Sequence, residues 1–352
     1  MKVLVAMSGG VDSSVAAAQM VEEGHDVIGV TLKLWEGPNG EAPTAGCCTV
    51  SDSEDARRVA AQLDIPYYVL NYTSAFSQGV IDKFVDDYLR GWTPNPCVEC
   101  NRSVKFDKLL NQAAEFDCDV LVTGHYARVQ ETGGQYRLLR GLDSSKDQSY
   151  VLYMLKQEQL AKVQFPVGEH TKAETRAIAG ELGLRTALKP DSQDICFVGR
   201  GDYRDFVDGQ TDVATSPGDM VDTAGNKVAE HTGVAGFTIG QRRGLGVTFG
   251  DPRYVIKVEP ATSTVVIGKK EDLETVDCVL SDLTWIGDSH EGSATFQYRA
   301  HGEPAACRVE ATEDESWLVT FDRLQLAIAP GQAGVLYQAD EVLGGGTITR
   351  GT

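Results

Sequence analysis

Long hydrophobic runs are missing from this chain of 352 residues. No stretch approaches the roughly 20 consecutive apolar residues of a membrane span, which excludes a multi-span membrane protein, and the opening run from Lys2 to Ala6 is too short for a signal peptide. Cysteine is scarce at 8 in 352, too sparse for a disulfide scaffold. In a reducing compartment such thiols are buried, catalytic or metal-bound, and the expected location is cytoplasmic. Positive charge is short as well. Lys and Arg number 32 against 51 Asp and Glu, for a net charge of −19, so the chain repels nucleic acid and anionic membranes at long range and any polyanion must dock on a local basic patch. Two nucleotide signatures are absent: there is no Gly-Lys-Ser/Thr of a Walker loop and no G-x-G-x-x-G fingerprint. Internal repeats and low-complexity segments are absent too. What is present, 42% apolar and 24% charged residues, suits a soluble globular enzyme of two or three domains rather than a disordered chain.

Residues 2 to 6 (KVLVA) form a short apolar run that ends in Ser8-Gly9-Gly10, and a helical stretch from Val11 stops at Gly24. The alternation continues with VIGVTL (27 to 32), a helix near 52 to 63, YYVL (67 to 70), helices over about 73 to 90 and 103 to 115, and DVLVT (119 to 123). Strands separated by helix-sized segments predict a parallel, Rossmann-like α/β sheet covered on both faces. Residues 34 to 51 read as a loop at the strand ends, where such folds place ligands. TKAETRAIAGELG (171 to 183) reads as a capped helix. Beyond about 205 the texture becomes short β-rich runs, DMVDT, GVAGFTIG, RYVIKVEP, STVVIG, SATFQYRA, WLVTFD and AGVLYQAD, separated by Gly, Asp and Pro. The expected organisation is an α/β domain over 1–204 with a helical part at about 145–190, a small central linking domain over 205–270, and a β-barrel-like domain over 271–352.

Three segments carry chemistry. Ser8-Gly9-Gly10-Val11-Asp12-Ser13-Ser14 lies between a strand and a helix, where paired glycines, successive amides and seryl hydroxyls make a phosphate cradle. Thr93-Pro94-Asn95-Pro96-Cys97-Val98-Glu99-Cys100-Asn101 holds a C-x-x-C pair that its two prolines are expected to present from an extended, rigid loop; such a pair serves zinc, redox and iron-sulfur sites alike. Lys189-Pro190-Asp191-Ser192-Gln193-Asp194-Ile195-Cys196-Phe197 holds a single cysteine which, alone, reads as buried filler.

The first segment resembles the SGGxDS pyrophosphate (PP) loop of the ATP pyrophosphatase superfamily, whose members adenylate a substrate oxygen. The three together resemble the tRNA-specific 2-thiouridylase family. That match also runs through GCC at 46–48, DARRVA at 55–60, VTGHYAR at 122–128, KDQSY at 146–150, TIGQRRGLGV at 238–247, APGQAGVLY and GGGTI. The resemblance implies an enzyme that places sulfur on the wobble uridine of certain tRNAs, with ATP and Mg²⁺ as cofactors and a persulfide-carrying protein as sulfur donor. It implies that Ala6, Met7, Ser8, Gly9, Gly10, Val11, Asp12 and Ser13 hold ATP, with Leu32 beside the nucleotide and Gly124 closing over it. Cys100 matches the catalytic cysteine and Cys196 the persulfide carrier, the pair ending each turnover as a disulfide. Asn95, Pro96 and Cys97 match the stretch that meets the target base; His125, the turn Lys146, Asp147 and Gln148, and Gln332 match tRNA contacts. Two positions depart from the usual pattern. Cys97 is the cysteine alternative to an aspartate, and Gln297-Tyr298 followed by Arg299 replaces Arg-Tyr, which leaves the charge of that tRNA contact open.

The chemistry requires these parts because the 2-oxygen of uracil is a poor leaving group until adenylated. An iron-sulfur cluster on Cys97, Cys100 and Cys196 is the alternative route for sulfur. Rival readings are another ATP pyrophosphatase acting on a small acid, which leaves the cysteine segments unexplained, and a non-catalytic RNA-binding sensor. The basic patch a tRNA needs is expected at Arg242, Arg243, Arg253 and Lys257, with Arg102, Lys105, Lys108 and Arg128 near the catalytic site.

Overall fold

The computed structural model describes residues 1–36, 49–191, 196–198, 203–210, 216–246 and 250–351. Cys47 and Cys48, Ser192 to Ile195, and Val247 lie outside the described residues. The chain divides into two compact units, one of Met1–Val80, Cys97–Arg200 and Asp340–Leu343, the other of Ile81–Pro96, Gly201–Ala339 and Gly344–Thr352.

In the first unit, β1 (Lys2–Ala6), β2 (Asp26–Lys33), β3 (Tyr67–Asn71) and β4 (Val120–Thr123) are joined, after a hairpin of β5 (Ala127–Thr132) and β6 (Gln135–Arg140), by the short β7 (Val163–Gln164). The sheet runs β3-β2-β1-β4-β7 and every pairing in it is parallel. The near-continuous apolar runs of β1, β2 and β4 suit strands buried on both faces. Helix α1 (Val11–Glu22) lays Val11, Val15, Ala16, Ala17 and Met20 into one core with Val3, Val5, Val27, Val120 and Val122; its alanines let it approach the sheet closely. Helix α2 (Val50–Gln62) starts with a capping box. The Thr49 hydroxyl accepts from the Asp52 amide at 3.1 Å and the Asp52 carboxylate accepts from the Thr49 amide at 3.0 Å, an arrangement that stabilises a helix by about 1 kcal/mol. Strand order reverses between β1 and β4, so their carboxyl ends flank the crevice where open α/β sheets bind ligands.

The C-x-x-C segment departs from expectation. Pro96 does not extend the chain but opens a helical run, Pro96–Glu99, Cys100–Lys108 and Leu109–Glu115. A first-turn proline lacks only an N–H that a helix start leaves unbonded anyway, and its fixed φ is already helical.

In the second unit, β8 (Gly218–Val221), β9 (Lys227–His231), β10 (Tyr254–Glu259) and β11 (Thr264–Gly268) form a sheet of order β10-β11-β8-β9, parallel only between β11 and β8. Its core is Met220, Val255, Val258, Val265 and Ile267 with Val234 and Phe237. The run GVAGFTIG is not a strand: Val234–Gly236 is a single tight turn whose Phe237 amide returns to the Val234 carbonyl at 3.1 Å, burying Val234, Ala235 and Phe237 without a strand partner. Six strands follow, β12 (Glu274–Trp285), β13 (Gly292–Gln297), β14 (Ala305–Ala311), β15 (Trp317–Leu326), β16 (Ala333–Gln338) and β17 (Glu341–Arg350). They run β12-β15-β14-β13-β16-β17 and close through β12 pairing with β17 into an antiparallel barrel, which removes its exposed edges. The second unit also takes in the helix Asp82–Leu89, whose Tyr88 stacks on Tyr203 at 5.0 Å and whose Phe84 meets Phe206 edge-on at 6.3 Å.

Candidate active site

The glycine-rich loop sits at the crevice the topology defines. Ala6 ends β1 between Val30 of β2 and Thr123 of β4, and Met7 is anchored by its amide to Val30 and by its carbonyl to the Thr31 hydroxyl at 2.6 Å. Gly9 has φ +73°, and a Cβ there would lie 2.1 Å from the Asp52 carbonyl oxygen, so this position admits only glycine. Gly10 is the N-cap of α1 and no side-chain cap hydrogen bond closes that helix start, which leaves its first-turn amides without a side-chain cap. Ser13 accepts from the Ser8 amide at 3.1 Å, which folds the loop back on the helix start. Gly124, just past β4, is packed so tightly on α1 that an added Cβ would lie 2.6 Å from the Ser13 nitrogen. The structure thus brings Ala6 to Ser13 and Gly124 together. Leu32 lies on the neighbouring β2, paired with Leu70 of β3.

Charges ring this loop, and several were not singled out by motif. Lys172, at the start of the helix Lys172–Glu181, reaches both carboxylate oxygens of Asp12 at 2.7 and 2.9 Å, and Tyr126 donates to the same carboxylate at 2.8 Å. Asp191 receives Lys146 at 2.7 Å, Lys172 at 2.9 Å and Arg176 at 2.8 Å. Burial acts to raise the Asp191 pKa, but the hydrogen bonds from Lys146 and Lys172 bring it down to about 2. Burial, chiefly, pushes the Tyr126 phenol well above its ordinary value. Lys189 donates to the Gly9 carbonyl at 2.9 Å, to Asp52 at 2.7 Å and to Asp55 at 2.8 Å; burial lowers its pKa, yet the two carboxylates outweigh burial and raise it. Lys172 and Lys189 stand inside segments legible as a capped helix and as the third motif, but partners 160 and 180 residues away leave no local signal.

The two cysteine segments share a neighbour. Phe197, next to Cys196, packs edge-on against Phe76 at 5.6 Å, and Gly79, within one turn of Phe76, lies against Ser103 of the helical run that begins with Cys100. Cys100 is buried and Cys97 exposed. Asn101 donates to the Val151 carbonyl at 2.9 Å and holds that helix start. His125 is buried between Phe106 and Phe165, with its Nδ1 2.6 Å from the Thr123 hydroxyl. Burial, and then the Lys105 charge, hold its pKa well below the usual histidine value, so it is neutral. In the turn Lys146, Asp147 and Gln148, only part faces outward. The buried Asp147 pairs with Arg140 at 2.7 Å and accepts from the Gly141 and Ser149 amides, and Gln148 accepts from the Tyr126 amide at 2.9 Å. Among the described residues no group of three or more His, Cys, Asp or Glu could hold a metal ion, so Cys97, Cys100 and Cys196 do not form one.

The remaining expected contacts lie in the second unit. Asn95 and Pro96 follow Thr93 and Pro94, whose carbonyls both accept from the Gln332 amide, at 2.9 and 3.2 Å, while the Thr93 amide donates to the Pro330 carbonyl at 2.8 Å. Gln332 therefore fixes this loop on the barrel. Beside it opens a cavity of about 590 Å³ whose lining includes Tyr203, Arg204, Arg243, Tyr298, Arg299 and Gln332. Arg204 and Arg299 lie over the rings of Tyr203 and Tyr298, at 5.9 and 5.4 Å. None of its described lining residues is acidic; Arg243 is among them and Arg242 is not.

Fold and site together define a nucleotide-binding α/β protein with a glycine-rich loop at its strand reversal and a C-terminal β-barrel. Residues 1–200 match the tRNA methyl transferase HUP domain, 204–269 the tRNA methyl transferase PRC-barrel domain and 275–348 the aminomethyltransferase beta-barrel domain. Over 352 residues the chain is 46% identical to the tRNA-specific 2-thiouridylase MnmA of Chloroflexus aurantiacus, covering 99% of this chain and 98% of that one. The proteins of the same name from Roseiflexus castenholzii and Carboxydothermus hydrogenoformans are each 46% identical, over 369 and 359 residues, covering 99% of this chain and 99% and 98% of theirs. The chain belongs to the tRNA-specific 2-thiouridylase family.

Proposed function

We propose that this protein is a cytoplasmic enzyme that thiolates the 2-position of the wobble uridine in tRNA at the expense of ATP. The observation that carries this reading is the placement, in one compact unit, of an uncapped glycine-rich loop at the β1 and β4 strand ends with two cysteine segments that pack on a common helical neighbour. Methyl transfer, which the names of the domain matches mention, gives such a pair of cysteine segments no task.

In this reading Ala6 to Ser13, Leu32 and Gly124 hold ATP, and the loop amides stabilise charge on the departing pyrophosphate as the uridine 2-oxygen bonds to the α-phosphorus. Magnesium would travel on the nucleotide phosphates, with Asp12 as the loop's carboxylate, and would add to that stabilisation. Cys196 receives a persulfide from a donor protein. Its terminal sulfur bonds to C2 as AMP leaves with the oxygen. The Cys100 thiolate then attacks the Cys196 sulfur, breaking the S–S bond, leaving the sulfur on the base and forming a Cys100 to Cys196 disulfide that a dithiol reduces before the next turnover. That no metal-holding group of three is found among the described residues supports the persulfide route over an iron-sulfur cluster, and no step is routed through one. Asn95, Pro96 and Cys97, where the loop passes into the helical run, meet the target base. His125, Lys146, Asp147 and Gln148 serve the tRNA from the first unit, Asp147 by shaping its turn. The cavity with Arg243, Tyr298, Arg299 and Gln332, none of whose described lining residues is acidic, supplies the local positive charge that a chain of −19 needs to hold a polyanion. Residues 1–204 carry the chemistry, 205–270 link, and 271–352 grip the RNA.

Incubating the protein with tRNA, ATP and a persulfide donor should yield 2-thiouridine by nucleoside mass analysis and tRNA-dependent pyrophosphate. Pyrophosphate that requires a small carboxylic acid instead of tRNA, without thiolated nucleoside, refutes the proposal.

A further inference from the structure

Of all the loop's peptide units, the one between Gly9 and Gly10 is the freest to flip, since neither residue carries a Cβ to bias its dihedrals. Its orientation decides what the loop shows an anion. In a planar trans peptide the carbonyl and the N–H point in opposite directions, so the peptide presents either a donor or an oxygen dipole to the mouth of the loop. The Gly9 carbonyl is held by the Lys189 ammonium at 2.9 Å. That ammonium is itself fixed by Asp52 at 2.7 Å and Asp55 at 2.8 Å, so its three hydrogens meet three acceptors. Asp52 is anchored in turn by the capping box with Thr49, and its backbone oxygen stands where a Gly9 Cβ would be, 2.1 Å away.

We infer that Lys189 is a positioning residue of the nucleotide site: it pulls the Gly9 carbonyl back toward α2 and thereby turns the Gly10 N–H to the phosphates. This rests on the reading of the loop as an ATP site, and it assigns Lys189 to adenylation although it sits in the cysteine-bearing motif. Asp191, two residues on, is tied to Asp12 through Lys172, so the start of that motif is fastened to the loop at two points.

A structural role alone would be to neutralise Asp52 and Asp55, and a charge-balanced variant separates the two. The triple variant K189M/D52N/D55N removes the lysine together with the charges it offsets. It should keep the wild-type thermal midpoint within a few degrees while kcat/KM for ATP in tRNA-dependent pyrophosphate release falls about 100-fold, the size of losing one oriented donor; K189R, which retains a charged donor, should stay within about 10-fold. A folded triple variant within threefold of wild type overturns the inference. A measurement on the wild-type chain is independent of variant folding: the Gly10 amide resonance should shift downfield on adding a non-hydrolysable ATP analogue, and a Gly10 signal unmoved while neighbouring loop amides shift overturns it as well. Wild-type protein that neither binds nucleotide nor releases pyrophosphate would instead sink the proposed function itself.

Discussion

Gly124→Ala tests whether the strand reversal is the nucleotide site, because it alters geometry and adds no charge. The new Cβ would lie 2.6 Å from the Ser13 nitrogen and 2.8 Å from the Asp12 carbonyl carbon, whereas ordinary contact begins at 3.4 Å. Relief therefore needs a separation of about 0.8 Å between the end of β4 and the first turn of α1. Overpacking of this kind costs about 1–3 kcal/mol, which for a unit of this size lowers the thermal midpoint by about 3–10 °C. A displacement near 1 Å in a catalytic constellation reduces turnover about 100-fold, so tRNA-dependent pyrophosphate release should fall by roughly 30- to 100-fold in a protein still folded at 25 °C. Gly180→Ala is the control. It lies in the helix Lys172–Glu181 with nothing within 4 Å of the added carbon, and should raise stability by about 0.5–1 kcal/mol with activity unchanged. A Gly124→Ala protein with wild-type ATP kinetics would show that α1 and the end of β4 do not share a ligand.

Cys100→Ser and Cys196→Ser should each abolish 2-thiouridine formation yet leave tRNA-dependent pyrophosphate release largely intact; a thiolation rate equal to wild type in either one removes that cysteine from the scheme. Arg243→Ala should weaken tRNA binding and flatten its dependence on log salt by about one unit, while Arg242→Ala, which does not line the cavity, should change the slope little. Equal slopes for both variants would place the RNA elsewhere. Asp191, with its pKa lowered from 3.8 to about 2, contributes stability that is fully present above the unfolded value and is lost as pH falls toward 2. The difference in urea midpoint between wild type and Asp191→Asn should accordingly shrink between about pH 4 and pH 2, and a difference constant across that window contradicts the ion-pair assignment.

Local pattern carried much of this molecule. Apolar runs at Val3 to Val5 and Val27 to Val30, each followed by a helix-sized segment, mark a covered parallel sheet, and the SGGVDSS loop falls at the one turn where that sheet reverses its winding. Pattern failed where a residue has two physical uses. Proline at 96 reads as an extender yet opens a helix, because the missing N–H that breaks a helix interior is harmless at its first turn. The run around Phe237 has the composition of a strand but buries its apolar groups in a turn. Long-range partners left no trace: Asp12 finds Lys172 and Thr93 finds Gln332 across 160 and 239 residues. The cavity beside Gln332 is assembled from five stretches of chain, so its arginines read singly as surface charge.

Synthesis from the ribosome meets this architecture in an awkward order. The helix Asp82–Leu89 buries Phe84, Val85 and Tyr88, but the residues that cover it, Tyr203 and Phe206, come much later; from Tyr88 to Tyr203 is 115 positions. At roughly 5–20 residues per second the nascent chain carries that apolar face uncovered for about 6–23 s, long beyond the time a helix needs to form. The last piece of the first unit, Asp340–Leu343, is made only after the second unit's Gly201–Ala339. The first unit therefore cannot close before most of the second has been made, and through that interval Asp82–Leu89 keeps its apolar face without the partners that cover it.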